Sequence, residues 1–135
     1  MNESNTNNYW WSSASLRIVH SDLDPDSITR MLGLTPSIRQ KPGESKIHFG
    51  GSTSAGYWCA CERKDYPHRP DLVIRWAEEV ASQNNDCLRR LLNNNHGIDV
   101  YVGIHINVMS IGFEMPPTHH LGKLGIVVGI EFFGR

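Results

Sequence analysis

The segment that decides the fold begins ASLRIVHSDLDPDSITRMLGLTPS at residues 14–37. Asp24 suits the position before a helix, because its carboxylate can accept from the free N–H groups of the first turn, and Pro25 suits the first helical position. Gly33 is the left-handed residue that typically ends a helix. We therefore predict a strand from Ala14 to His20 that leads through an acidic turn into a helix ending at Gly33.

Hydrophobic periodicity predicts the remaining elements. Apolar side chains recur at helical spacing over Asp71–Gln83 and Asp86–Asn95, and they alternate with period two over Asp99–Val108. Further elements are expected as strands at Lys46–Phe49, Tyr57–Glu62 and Ile126–Phe133, a polar loop over 37–45, and a short helix from Pro116-Pro117 to Leu124-Gly125. The order β-α-β-β-α-α-β-α-β predicts an α+β domain, with a mainly antiparallel sheet and helices packed on one face.

Size and composition are those of one soluble globular domain. The 135 residues are 39% hydrophobic and 20% charged, with 13 basic and 14 acidic side chains and a net charge of −1. Without a long basic run, a general electrostatic grip on nucleic acid is not expected. No apolar run approaches the ~20 residues that span a bilayer. We expect a disordered polar terminus over residues 1–9 and a single domain over 10–135.

The cysteines and the polar start bear on the compartment. Cys59, Cys61 and Cys87 cannot all pair within one molecule. An odd number of cysteines, in a chain long enough to form a core, fits a reducing compartment better than a disulfide scaffold. The first residues, MNESNTNNYWWSS, lack the basic start and the apolar stretch of a secretory signal. We therefore expect a cytoplasmic protein.

Several short motifs follow one another in the order of a known family. They are Leu23-Asp24-Pro25, the helix end Leu32-Gly33-Leu34, the loop pair Gly43-Glu44, and Gly56 followed by Trp58. In these motifs the chain resembles DUF4279, a bacterial domain of unknown function, from which it departs by a proline inserted before Gly43. The resemblance implies a related fold and brings no activity or cofactor with it. Small uncharacterised bacterial families include many immunity proteins that neutralise toxins, which makes that role an expectation by analogy.

Histidines and cysteines are the candidates for metal or catalytic chemistry. Cys59 and Cys61 lie on one face of a strand, about 7 Å apart, and His48 on a neighbouring strand could complete a zinc site. A structural zinc site usually has a second close ligand pair, and the sequence shows none, so two semi-buried thiols are the simpler interpretation. His105 and the pair His119-His120 are further candidates for a metal-dependent or small-molecule enzyme. No Walker, Rossmann or nucleophile-elbow motif is present.

Charged residues near the first helix have two interpretations. Asp22, Asp24 and Asp26 alternate as in a calcium loop, but Ser27 and Gly33 replace the glycine and glutamate that such a loop needs. Capping of the helix explains these carboxylates with fewer assumptions. Arg39, Lys41 and Lys46 line a loop that contains glycine and proline and could hold a phosphate or a carboxylate, although a solvated loop is the simpler interpretation.

A non-enzymatic binding protein without a cofactor is the first hypothesis for function. The partner would be another protein, with a toxin as the specific case, and a sheet face or the 37–56 loop would cover the partner's site. Exposed tryptophan and arginine anchor many interfaces, and carboxylates attract basic groups on a partner. The candidate binding residues are Trp11, Asp22, Asp24, Asp26, Arg39, Lys41, Glu44 and Asp65. Two alternatives stay open: the enzyme described above, and a homodimer that pairs through an exposed sheet edge.

Overall fold

The computed structural model describes residues 11–44, 55–65, 69–106 and 112–134. Its elements are β1 (Trp11–His20), α1 (Pro25–Leu32), β2 (Ile38–Gln40), β3 (Gly56–Asp65), α2 (Asp71–Gln83), α3 (Asn85–Asn93), β4 (Gly97–His105), α4 (His119–Leu124) and β5 (Val127–Phe133). The α+β class is confirmed, and the order of helices and strands agrees with the prediction, with Ile38–Gln40 as its second strand. The expectations for residues 1–9 and for a strand at Lys46–Phe49 lie outside the described residues.

Within the described residues the sheet has five strands, in the order β2-β3-β1-β4-β5. The central strand β1 pairs antiparallel with β3 and with β4, and β2 adds to β3 in the same sense. β5 pairs parallel to β4. A parallel pair needs a crossover connection, and here the connection passes through α4. The sheet is therefore mainly antiparallel, as predicted, with one parallel pair at its edge.

One face of the sheet forms the hydrophobic core together with the helices. Ala14, Leu16 and Ile18 of β1 are at most 2% exposed, and Trp58 of β3 is fully buried. The other core side chains come from the same face of β3 and β4 and from the apolar sides of the helices. Because every second side chain of a strand points to the same face, the apolar residues gather on one face of the sheet. The helices pack against this face, as the sequence predicted.

Local signals hold α1 in place. The Asp24 carboxylate accepts from the N–H of Asp26 at 3.2 Å, and Gly33 ends the helix in the left-handed region with φ 67°. The side chain of Thr29 accepts from Trp58 Nε1 at 3.0 Å, which ties the helix to the sheet. α4 ends in the same way at Gly125, with φ 74°. Both left-handed glycines are sites where an L side chain would be strained.

The main correction concerns the 37–45 segment, which was predicted to be loop throughout. Ile38–Gln40 instead forms β2 and pairs with β3, and Gln40 is buried with its side-chain amide donating to the Ala55 carbonyl at 3.0 Å. Three residues are too few to show a periodic pattern, so only the pairing with β3 reveals the strand. Smaller differences are the earlier start of β1 at Trp11 and the later start of α4 at His119.

No helix in the described part of the chain is both long enough and apolar enough to span a membrane.

Candidate functional site

The face of the sheet opposite the helices, here called the open face, carries polar and aromatic side chains. Its members alternate with the core residues along each strand and are mostly half-buried or exposed. They are Trp11, Ser13, Ser15, Arg17 and Val19 of β1, Tyr57, Cys59, Cys61, Arg63 and Asp65 of β3, Asp99, Tyr101, Gly103 and His105 of β4, and Val127, Gly129, Glu131 and Phe133 of β5.

Four of these side chains stack in a row across neighbouring strands. The guanidinium of Arg63 lies 4.0 Å from the centre of the Trp11 ring. The Trp11 ring stacks on His105 at 3.6 Å between centroids, and His105 stacks on Phe133 at 4.6 Å. This aromatic row, Arg63-Trp11-His105-Phe133, crosses β3, β1, β4 and β5 at one end of the sheet. Burial, together with the nearby Arg63 charge, lowers the pKa of His105, so the ring is neutral at physiological pH.

A second group occupies the middle of the open face. Arg17 donates two hydrogen bonds to the carboxylate of Asp99, at 2.8 and 2.7 Å, and its guanidinium lies 5.0 Å from the centre of the Tyr101 ring. The Tyr101 hydroxyl donates to Glu131 on β5, and this hydrogen bond raises the pKa of Tyr101. The bidentate pair fixes the arginine in a single orientation, since both of its bonds point at one carboxylate.

A recess lies at the opposite end of the open face from the aromatic row. Its volume is 410 Å³, and its lining residues are Arg17, Val19, Tyr57, Gly97, Ile98 and Asp99. Burial raises the pKa of Tyr57, with a further contribution from Cys59, so its hydroxyl keeps its proton at physiological pH. The recess therefore offers a hydroxyl group and an arginine–carboxylate pair beside apolar walls.

The structure separates the predicted binding residues into two groups. Trp11 and Asp65 are register partners on β1 and β3 at the aromatic-row end of the sheet. The other six follow the far end of β1, whose ten residues span about 30 Å. The two groups lie toward opposite ends of β1 and therefore do not form one site.

Local pairing dominates the group near α1. Asp26 binds Arg39 through an ion pair, and the Glu44 carboxylate accepts from the N–H of Lys41 at 2.6 Å. Asp24 caps the helix, as predicted, and the N–H of Asp22 donates to His20 Nδ1 at 2.9 Å. Pro25, Arg39, Lys41 and Glu44 line a recess of 220 Å³. Most of these charges are thus satisfied within the turn and the adjoining loop.

In the described residues, no further ligand joins Cys59 and Cys61, the two cysteines of the hypothetical zinc site. Cys59 is 4% exposed and Cys61 is exposed, and both thiols are free. His48 lies outside the described residues. Over 11–44, 55–65, 69–106 and 112–134, no three histidine, cysteine or acidic side chains come close enough together to hold a metal ion.

The histidine pair near the C-terminal end has a structural partner. The rings of His119 and His120 meet edge to face at 5.2 Å, and His120 Nδ1 lies 2.9 Å from the Glu78 carboxylate of α2. Glu78 also accepts from the backbone N–H groups of His120 and Leu121. Burial acts to raise the pKa of Glu78, but these hydrogen bonds outweigh it and hold the pKa below its ordinary value. Glu78 therefore caps α4 from another helix.

Sequence reasoning missed Arg17, Asp99 and Tyr101 as members of a surface. The signal was present, because Leu16 and Ile18 point into the core and Arg17 between them must point to the other face. The same argument applies to Asp99 and Tyr101 on β4. Polar residues that alternate with core residues along a strand therefore form a surface of their own.

Comparison with known proteins completes the description. Residues 8–124 match the model of the family described as "Domain of unknown function (DUF4279)". No curated protein and no solved structure matches the chain. The matched range contains β1 to β4 and α1 to α4 and covers most of the 135 residues. The chain thus belongs to the DUF4279 family.

Proposed function

We propose that this chain is a non-enzymatic protein-binding domain and that the open face is its contact surface. The observation that carries the proposal is the aromatic row, in which Arg63, Trp11, His105 and Phe133 stack across four strands. Tryptophan and arginine contribute most of the binding energy in many interfaces. Because the side chains already hold one another in place, little conformational entropy is lost when a partner binds.

The partner that fits this surface is a protein with an apolar patch bordered by basic groups. Phe133 is 39% exposed and offers an apolar contact at one end of the row. Two carboxylates border the row: Asp65, which accepts from Arg63 Nε at 2.8 Å, and Glu131, which accepts from Tyr101. Carboxylates at a rim favour association with basic partners and increase the association rate.

Steric neutralisation of a toxin is the specific form of this proposal, and the cytoplasm is its compartment. Analogy with other small bacterial families supports the toxin as partner, and the three free thiols of Cys59, Cys61 and Cys87 support a reducing compartment. The test is co-expression with a toxin encoded beside this gene. We expect the wild-type chain to restore growth and a Trp11→Ser variant to fail; equal protection by both would contradict a role for the open face.

A matched pair of phenylalanines tests the binding surface directly. Phe133 lies on the open face, whereas the adjacent Phe132 points to the helix side and is 53% exposed. A candidate partner is captured from the native host, purified, and titrated at sub-micromolar concentration. We expect Phe133→Ser to weaken binding about tenfold and Phe132→Ser to leave it nearly unchanged. Equal effects of the two variants, or capture without direct binding, would contradict the proposal.

Small-molecule binding at the recess is the second candidate function. The 410 Å³ recess beside Arg17 lies within the usual size range of ligand pockets. A panel of metabolites in a thermal-shift assay is the test, with Val19→Trp as the variant that fills the recess. A shift seen with the wild type and lost in Val19→Trp would support this function, and no shift from any compound would contradict it.

A further inference from the structure

β5 is an edge strand with an apolar character that edge strands usually avoid. No described residue pairs with its outer side. Four of its seven side chains are large, apolar and exposed: Val127 (69%), Ile130 (37%), Phe132 (53%) and Phe133 (39%). Proteins commonly protect such edges with lysine or proline, because unpaired N–H and C=O groups recruit other strands. The strand VVGIEFF contains neither.

The hydrogen bonds to β4 show which main-chain groups of β5 are free for another strand. The N–H of Ile106 donates to the carbonyl of Phe133 at 2.8 Å, so the main chain of Phe133 faces β4. Main-chain groups of successive residues point to opposite sides of a strand. The N–H and C=O groups of Val128, Ile130 and Phe132 therefore point away from β4, toward the outer edge.

We propose that the outer edge of β5 pairs with β5 of a second copy of this chain, antiparallel, with the two-fold axis passing at Ile130. Seven residues make up the strand, and Ile130 is its centre. In this register every residue of the strand has a partner, and Val128, Ile130 and Phe132 form hydrogen-bonded pairs. The register pairs are Val127 with Phe133, Val128 with Phe132, Gly129 with Glu131, and Ile130 with Ile130.

Only every second residue of β5 has its N–H and C=O groups on the outer edge, and this alternation limits the other antiparallel registers. Only shifts by two residues keep the outward-facing groups opposite each other. One such shift places Glu131 opposite Glu131, and like charges directly opposite are destabilising. The other shift leaves Phe132 and Phe133 without partners inside the strand. The register centred on Ile130 is therefore the one that uses the whole strand without a charge conflict.

The side chains that meet in this register complement one another. Valine lies opposite phenylalanine on both faces of the new strand pair, and pairs of β-branched and aromatic residues stabilise antiparallel strands. On the helix side, Ile130 of each copy covers Ile130 of the other, and Phe132 of each copy covers Val128 of the other. Glu131, already bound to Tyr101, faces Gly129 and meets no second carboxylate.

The dimer joins two five-stranded sheets into one and places the two aromatic rows on the same continuous face. Such an edge contact is at the small end of stable interfaces, so we expect a dissociation constant on the order of micromolar. The interface does not depend on the proposed partner, and the two proposals can fail separately. β5 also lies beyond the residues 8–124 that match the family.

Replacing Ile130 by a positively or a negatively charged residue tests whether the two-fold axis passes at this position. In sedimentation equilibrium, the average molar mass of the wild type should rise from that of a monomer to that of a dimer as its concentration increases from about 1 to 500 µM. Ile130→Lys and Ile130→Glu should each be monomeric, because like charges meet at the two-fold axis, and their equimolar mixture should form dimers. Val19→Lys is the matched control, since Val19 is 39% exposed on β1, and it should dimerise as the wild type does.

Several results would overturn the proposal. A wild type that stays monomeric at the highest concentration excludes the dimer. Dimers of Ile130→Lys alone, or a monomeric mixture of the two folded charge variants, exclude the two-fold axis at this residue.

Amide hydrogen exchange of the wild type provides a test that needs no variant. Raising the concentration from about 1 to 500 µM should slow exchange at Val128, Ile130 and Phe132 at least tenfold, because these N–H groups gain partners in the dimer. The amides of Gly129 and Glu131 face β4 in both states and should change much less. Uniform or absent slowing along β5 would contradict the proposed register.

Discussion

The two faces of β1 show how one strand can serve two purposes. Ala14, Leu16 and Ile18 are at most 2% exposed and touch the helices, whereas Ser13, Ser15 and Arg17 between them remain half-buried on the open face. The first set can be recognised by its apolar alternation. The second set has no apolar pattern of its own. Which contacts these side chains make depends on the residues beside them on the neighbouring strands. The core face therefore determines the fold, and the open face carries the surface that we propose for a partner.

The largest expected effect on the free energy of unfolding comes from truncating a large side chain on the core face. Trp58 is fully buried, and its Nε1 donates to Thr29 at 3.0 Å. We expect Trp58→Ala to lower the free energy of unfolding by about 3–5 kcal/mol, measured by urea denaturation. The control, Trp11→Ala on the open face, should cost about 1 kcal/mol. Similar losses for the two tryptophans would mean that the two faces contribute equally to stability.

A smaller effect of opposite sign is expected at Ser12. This residue points to the core face, is fully buried, and its Oγ has no hydrogen-bond partner in the described part of the chain. Because an unpaired buried hydroxyl is costly, Ser12→Ala should raise the free energy of unfolding by about 1 kcal/mol. Ser13→Ala, on the open face, should change it by less than about 0.5 kcal/mol. A destabilised Ser12→Ala variant would show that the hydroxyl has a partner in solution.

The ion pair of the open face should contribute less than either core change. The side chains of Arg17 and Asp99 are 36% and 43% exposed, and solvent screens their attraction. A double-mutant cycle with Arg17→Met and Asp99→Asn should give a coupling energy of about 0.5–1 kcal/mol that decreases at high salt. A coupling that is unaffected by salt would contradict the exposure of this face.

The smallest expected effect is a pH dependence from the aromatic row. Burial and Arg63 lower the pKa of His105 below its ordinary value of 6.5. The unfolded chain then binds the proton more readily than the folded chain, so stability present above pH 6.5 is lost as the pH falls through the lowered pKa. Urea midpoints at about pH 7.5 and 5 should differ less for His105→Gln than for the wild type. If the urea midpoint falls equally in both proteins, the pH dependence comes from other groups. His96 is one such group, because burial is the main cause that lowers its pKa.

The parts of the fold that sequence predicts are those with long, regular patterns. The apolar stripe from Asp71 to Gln83 gave the bounds of α2, and the Asp24-Pro25 and Gly33 signals gave α1. β2 was missed because three residues carry no period, and the parallel pairing of β5 was missed because strand order depends on where the intervening helix packs. Pairing between distant segments leaves no local pattern to read.

The candidate site was predictable only in fragments. Exposed aromatic and charged residues identified Trp11 and Asp65, which the structure places on the open face. The acidic residues from Asp22 to Asp26 are equally polar, yet their hydrogen bonds lie within the turn and at the start of α1. Sequence composition cannot distinguish a charge that holds a turn from one that is offered to a partner, because both are polar and exposed.

Glu78 has a consequence for the order in which the molecule assembles. α4 has six residues, too few to persist as an isolated helix in water, and its leading amides bind this one carboxylate from α2. We therefore expect α4 to become ordered together with its contact to α2 rather than on its own. A change at Glu78 is thus expected to loosen α4 first, the helix that leads into the edge strand β5.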